Sequence, residues 1–216
     1  MKPTRRKLLW LSGGVFALGL GCLAQAQVPM TGAGKSAPGA VTVCAGTPII
    51  LTSPNDLTNG AWSVRNTAAV ANAATAPDST NTASSLTTTS TGSGAFSQLV
   101  FQLANSYKTG GVTYSATGYL KASVTPDWVL VLMQEQGGFT SWGAYFNSNT
   151  GAIGNTGGTT CQLMTSVGSG WWKFSVAGGF GSTPGSDAQF QLYPCDSGST
   201  CNPTLNQAFF AWQIGT

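Results

Sequence analysis

Trp128-Val129-Leu130-Val131-Leu132-Met133 decides the fold. These six residues are apolar on both alternating faces and rich in β-formers, and Gly137-Gly138 follows soon after. A run that short, bounded by turn residues, reads as a strand buried on both sides rather than as a helix. It predicts a central strand over 128–134. Working outward, the same grammar recurs. Phe96, Gln98, Val100 and Gln102 alternate with Leu99, Phe101 and Leu103 across a strand at 95–103. Trp172, Phe174 and Val176 share a face opposite Trp171, Lys173 and Ser175 within a strand at 171–180. Further strands are predicted at 47–52, 62–71, 83–89, 112–122, 139–147, 187–193 and 208–214, with 147–158 as a turn-rich loop or hairpin. Amphipathic helical periodicity is missing between them. Many short strands separated by Gly, Asn, Ser and Thr clusters specify an all-β, two-sheet antiparallel β-sandwich, a jelly roll, over residues 44–216.

The N-terminus carries a different message. Lys2, Arg5, Arg6 and Lys7 form a basic start without acidic residues, Leu8 to Leu23 are largely apolar, and Ala24-Gln25-Ala26 supplies a small-x-small cleavage pattern. Residues 1–26 therefore read as a bacterial-type secretory signal peptide. Ser12, Gly13, Gly14, Gly19 and Gly21 interrupt the apolar stretch, which argues against a permanent anchor needing about 20 strongly apolar residues. Two variants of the address stay open: a twin-arginine signal at Thr4-Arg5-Arg6-Lys7, and a lipoprotein box at Gly19-Leu20-Gly21-Cys22. Residues 27–43, rich in Gly, Ala, Pro and Ser, read as a flexible leader. The expected location is secreted, periplasmic or cell-surface, with no membrane span after cleavage.

Cleavage changes the charge. The chain has nine basic and six acidic residues, and four of the basic ones lie in the signal. What remains is near neutral and slightly acidic, with no basic patch able to neutralise several phosphates, so nucleic acid is excluded as a partner. Cys22 leaves with the signal, and Cys44, Cys161, Cys195 and Cys201 stay. In an oxidising compartment an even set reads as disulfides. Cys195 and Cys201 bracket the turn-forming run Asp196-Ser197-Gly198-Ser199-Thr200, which favours Cys195–Cys201 and leaves Cys44–Cys161. The second pair closes a long loop, for which chain entropy gives roughly 4–5 kcal/mol. A four-cysteine zinc site is disfavoured, because no C-x-x-C pair and no His is present.

Several segments resemble a family of jelly-roll domains, described as carbohydrate-binding-module-like or concanavalin-like, that recur in phage tail and structural proteins and in bacterial surface proteins. The resemblance runs in order through Asn59-Gly60-Ala61-Trp62, Ala73 to Asp78, Thr82 to Thr87, Tyr114 to Ala122, Tyr145-Phe146-Asn147 with Thr150-Gly151, Gly168 to Lys173, and Phe210 to Ile214. It covers about residues 50–216 and implies the sandwich more firmly than any ligand. The Cys195–Cys201 loop departs from it, lying where a plain Gly/Ser/Thr loop is expected.

The chemistry present is sparse. The acidic residues are Asp56, Asp78, Asp127, Glu135, Asp187 and Asp196, and none pair at strand spacing i, i+2. Glycoside hydrolysis uses two facing carboxylates, and His-dependent triads are excluded outright. A polysaccharide hydrolase or lyase is the least favoured reading, and no cofactor is called for. Asp78, after Pro77, reads first as a turn residue; the sharper alternative is a ligand of a structural calcium, as related sandwiches carry. Binding needs less: a flat aromatic beside amides suits the apolar face of a sugar ring. Trp142, Tyr145 and Trp171 are the candidates. Trp142 and Tyr145 fall on opposite strand faces, whereas Trp171 shares its face with Lys173 and Ser175, which implies exposure. Trp62, Trp128, Trp172 and Trp212 are assigned to packing.

The leading reading is a secreted, non-catalytic module that recognises glycan or cell-surface polysaccharide. Its rival is a structural or adhesive surface or fibre component that binds protein partners or self-assembles. The two differ in what the folded domain must display. A grooved patch of aromatics ringed by amides fits sugar, and a strip along an edge fits assembly.

Overall fold

The computed structural model describes residues 42–89, 98–124, 127–136, 140–201 and 206–216. The signal and nearly all of the leader, the first residues of the strand predicted at 95–103, and the Gly137-Gly138 break with Phe139 lie outside them. The chain alternates between strands from Thr47 onward: β1 Thr47–Pro48, β2 Ser63–Arg65, β3 Thr67–Ala74, β4 Ala83–Thr88, β5 Leu99–Leu103, β6 Tyr114–Val124 and β7 Trp128–Glu135. It continues through β8 Ser141–Asn147, β9 Ile153–Gly157, β10 Thr159–Gly168, β11 Trp171–Gly178, β12 Ala188–Cys195 and β13 Ala208–Trp212. A 3-10 turn at Asn105–Tyr107 is the one helical piece among the described residues. No helix among them is long and apolar enough to cross a membrane.

These strands form two sheets. Sheet I has the order β10-β11-β6-β13-β4-β3, with β1 added in parallel to β6; sheet II has the order β2-β5-β12-β7-β8-β9. All pairings except β1 with β6 are antiparallel. The chain changes sheet between β4, β5, β6 and β7, and again between β11, β12 and β13. This is the two-sheet sandwich expected from the sequence.

The core lies between the sheets and follows strict alternation. Val129, Val131 and Met133 of β7 and Trp142, Ala144 and Phe146 of β8 point inward from sheet II. Leu120, Phe174, Val176 and Phe209 meet them from sheet I, and the Phe146 and Phe174 rings sit 5.4 Å apart. Because side chains alternate, Leu130, Leu132 and Tyr145 must then face away from the core.

The strand predicted at 47–52 is shortened to Thr47–Pro48, and two further differences have local causes. The run expected at 62–71 is broken at Asn66, whose φ of 52° takes the left-handed conformation that Asn tolerates. The break sends β2 to sheet II and β3 to sheet I. Strand β10 was not predicted at all. Its sequence, TTCQLMTSVG, forms an edge strand with neither strong alternation nor aromatics, and its only strand partner among the described residues is β11.

Cys44 is bonded to Cys161 and Cys195 to Cys201, the pairing favoured from spacing. The first bridge fixes the N-terminal arm to the edge strand β10. Two oxidised pairs suit an extracellular or periplasmic compartment.

Candidate functional site

The outward face of sheet II is a trough. It holds a cavity of about 390 Å3, lined along its floor by Leu130, Leu132 and Gln134 of β7, Gly143 and Tyr145 of β8 and Tyr193 of β12. A second cavity of about 430 Å3 shares Gln134 and Tyr193 and extends towards Phe101, Gln189, Gln191 and Arg65. The two are halves of one feature. Each lies within the roughly 300–1,000 Å3 typical of small-ligand sites.

Register explains why these residues converge. In β12, Gln189, Gln191 and Tyr193 occupy alternate positions and so share one face. Strand β12 is paired with β7 such that Gln189 sits opposite Gln134, and Gln191 opposite Leu132. On the other side of β7, Leu130 faces Tyr145 and Leu132 faces Gly143. A Cβ at Gly143 would collide with the Val131 carbonyl, so glycine lets β7 and β8 approach and leaves the trough floor clear.

The polar groups are pre-ordered. Tyr193 Oη donates to Gln191 Oε1 at 2.7 Å, and Gln191 Nε2 donates to Gln189 Oε1 at 2.8 Å. The relay ends on the Gln189 amide, which accepts through its oxygen. Tyr193 is 4% exposed, and burial pushes its hydroxyl pKa up to about 12, against a smaller lowering by Arg65 and a smaller rise from Tyr145. Burial, with the Asp196 charge, raises Tyr145 as well. Both phenols are therefore neutral at physiological pH. The trough also has a polarity: Arg65 stands at one end, and Asp196 lies near Tyr145 at the other.

The Cys195–Cys201 loop builds the rim beyond Tyr145. Ser199 lines the cavity with Asn155 and Thr156 of β9. Gly198 accepts from the Asn155 N–H at 2.7 Å, and it packs so closely that a Cβ there would strike the Trp128 ring. Inside the loop, Ser197 and Thr200 hydroxyls are 2.8 Å apart, and Thr200 donates to the Asp196 carboxylate. The short disulfide thus clamps a turn against the β8–β9 hairpin.

The three aromatic candidates go to three different places. Tyr145 is in the trough. Trp142, on the opposite face of β8, is 1% exposed and belongs to the inter-sheet core. Trp171 does lie on the outward face of sheet I with Lys173, but it is not exposed. It is 1% accessible, because residues 75–82 fold over it and its indole Nε1 donates to the Thr75 carbonyl at 3.0 Å. The same turn accepts Trp212 Nε1 on Thr82 Oγ1. Tyr193, Gln191, Gln189 and Gln134 were not singled out from sequence, although the spacing Gln189-x-Gln191-x-Tyr193 is a readable signal of one polar-aromatic face.

Asp78 sits at the tip of that covering turn. Its Oδ1 accepts from the N–H and the hydroxyl of Thr80, and these bonds hold its carboxyl below the usual range. Among the described residues no group of three or more His, Cys, Asp or Glu gathers where it could hold a metal ion.

No family model and no curated protein matches the chain. Among solved structures, one similar chain is the CBM22-1–GH10 part of the Clostridium thermocellum endo-1,4-beta-D-xylanase 10B, complexed with xylohexaose. The likeness has 14% identity and a TM-score of 0.41, and it covers 79% of this chain and 27% of that one. The chain thus spans about a quarter of that structure's length, and the likeness is too slight to carry anything about this chain's ligand.

Proposed function

We propose that this chain is an exported, non-catalytic β-sandwich that binds a polysaccharide strand in the trough of sheet II. The observation that carries the reading is the composition of that one face. Two neutral tyrosines and two leucines make an apolar floor, and the amides of Gln134, Gln189, Gln191 and Asn155 surround it. A sugar chain needs that combination: C–H faces want apolar ring surface, and hydroxyls want amides that both donate and accept. The patch is a groove over a sheet face, not a strip along an edge, so it fits sugar better than self-assembly. The residues lining the two cavities include no carboxylate and no imidazole. Glycosidic hydrolysis relies on paired carboxylates, so the lining supports recognition rather than cleavage.

The test is affinity electrophoresis of the disulfide-bonded protein in gels containing a panel of uncharged polysaccharides. At least one is expected to retard migration. Tyr145→Ala should weaken that binding roughly tenfold, the size of a lost aromatic contact of about 1–1.5 kcal/mol. Gln191→Ala should do so to a similar degree by releasing the Tyr193 hydroxyl. Circular dichroism confirms that both variants stay folded. A panel that is silent throughout, or variants that migrate like the parent, would sink the reading. Concentration-dependent light scattering with a silent panel would move the protein to the class of structural components.

A further inference from the structure

The opposite surface of the molecule carries a second, differently charged arrangement. On β11 and β6 the register sets Trp171 opposite Lys121 and Lys173 opposite Tyr119. Each ammonium lies over the ring facing it: Lys121 Nζ is 6.0 Å from the Trp171 centroid, and Lys173 Nζ is 5.7 Å from that of Tyr119. The pattern is crossed, with each strand giving one ring and, two residues on, one cation. The two lysines are therefore diagonal neighbours, with backbones roughly 7–8 Å apart. Outside residues 1–26 the chain has five basic side chains, and this face uses two of them together. Among the described residues neither lysine has an ion-pair partner. Like charges so placed repel, so the pair is the more favourable for an anion lying between them.

The surroundings are apolar and fixed. Tyr119 packs on Trp212 at 5.1 Å, and Phe210 follows Lys121 along the cross-strand row, with both Tyr119 and Phe210 half-buried. The 75–82 turn accepts the indole N–H of Trp171, which lies under Lys121, and of Trp212, against which Tyr119 under Lys173 packs. Lys121 is steered from its stem as well, which runs along Gly170.

We infer that this face of sheet I is a second glycan site, specific for an acidic polysaccharide. A carboxylate or sulfate of the sugar lies between Lys121 and Lys173, and the adjoining C–H face rests on Tyr119 and Phe210. Fixed lysines over rings orient a charged group better than free surface lysines do, because less side-chain freedom is lost on binding. The trough, with neutral phenols and amides, has no comparable pair of cations. The site stands whether or not the trough binds sugar.

The experiment is affinity electrophoresis of the disulfide-bonded protein in gels containing a polyuronate, with Kd read from the retardation. The parent should be retarded at low salt, and the effect should vanish near 1 M salt, where charges are screened beyond about 3 Å. Lys121→Gln and Lys173→Gln should each raise Kd roughly tenfold, as expected for loss of one charge-assisted contact. Lys108→Gln removes the same charge elsewhere and should leave Kd unchanged. The charge-keeping pair Lys121→Arg and Lys173→Arg should retain binding, which separates lost charge from lost folding. Absence of retardation, or equal weakening by Lys108→Gln, overturns the proposal. So does binding to phosphatidylglycerol vesicles through the same two lysines without any retention by polyuronate, which would make the partner a lipid surface. Retention by polyuronate with no response to uncharged polysaccharides supports this site while removing the trough.

Discussion

Both sheets turn aromatic rings away from the core, yet the two outward faces end differently. On sheet I the rings of Trp171 and Trp212 are roofed by residues 75–82, and their indole N–H groups are satisfied by that turn. On sheet II, Tyr145 and Tyr193 line a cavity although they are only 8% and 4% exposed, packed with Leu130 and the Cys195–Cys201 bridge, and Tyr193 spends its hydroxyl on a neighbouring amide. The same alternation that places an aromatic outward thus serves packing under the 75–82 turn and a cavity lining on sheet II. What decides between them is whether a distant loop returns to cover the face. The covered rings Trp171 and Trp212 should therefore carry stability, and Tyr145 in the trough should carry recognition of neutral sugar.

The largest effect is expected at Trp171. Truncating a fully buried Trp costs about 3–5 kcal/mol, so Trp171→Ala should lower the melting temperature by roughly 10 °C or more in a domain of this size. Retardation by uncharged polysaccharide at a temperature where the variant is folded should not change. A variant with parental Tm and weakened neutral-glycan binding would break the comparison, since it would make a covered ring part of the neutral-sugar site.

Next comes the alkaline limb of stability. The Tyr193 hydroxyl, raised to about 12 chiefly by burial, titrates near 10 once unfolded. The folded state therefore holds its proton more tightly. This contribution is fully present below about pH 10 and is lost as pH rises towards 12, by up to roughly 3 kcal/mol. Urea midpoints of the parent should fall across that window more steeply than those of Tyr193→Phe. The variant should start about 1 kcal/mol lower at pH 8, having lost its bond to Gln191. Parallel curves would mean that Tyr193 is wetter than its burial implies.

The third effect concerns the rim. Opening Cys195–Cys201 by serine substitution at both positions removes a loop worth about 2 kcal/mol by chain entropy, well below the Cys44–Cys161 bridge. Its consequence should fall on binding more than on folding, because Gly198 and Ser199 hold their places against Asn155 and the trough through that loop. Retardation by neutral polysaccharide should weaken while a serine pair at 44 and 161 weakens mainly the melting temperature. The reverse pattern would show that the rim is ordered without its bridge.

The comparison also separates what the sequence makes legible from what it hides. Strands such as Trp128–Glu135 and Trp171–Gly178 are readable because local alternation with β-formers is a near-neighbour property. Alternation also put Trp142 and Tyr145 on opposite faces, and Trp171 with Lys173. It could not tell that Trp171 is covered, because its lid is contributed from some ninety residues earlier in the chain. Strand β10 was hidden for the opposite reason: its pairing with β11 is strong, but its own residues carry little pattern. The trough residues stand between these cases. Gln189, Gln191 and Tyr193 share a face by spacing alone, whereas bringing Gln134, Asn155 and Ser199 to the same place requires the strand order of sheet II.

The smallest effect should come from Asp78, and it tests how the roof is held. The Asp78 carboxylate accepts two bonds from Thr80 and closes the tip of the turn that covers Trp171 and Trp212. The roof is fastened mainly at its shoulders, Thr75 and Thr82, so losing the tip should fray it without lifting it. Asp78→Ala is expected to lower the melting temperature only slightly, because the lost bonds lie at an exposed turn where water replaces them. With Oδ1 already committed to Thr80 and no cluster of acidic partners around it among the described residues, the turn should not depend on calcium. Melting curves with excess calcium and with a chelator should therefore overlay, for parent and variant alike. A calcium-dependent rise in Tm that Asp78→Ala abolishes would make the roof a metal-stabilised element. Trp171 and Trp212 would then owe their cover to an ion rather than to the turn's own hydrogen bonds.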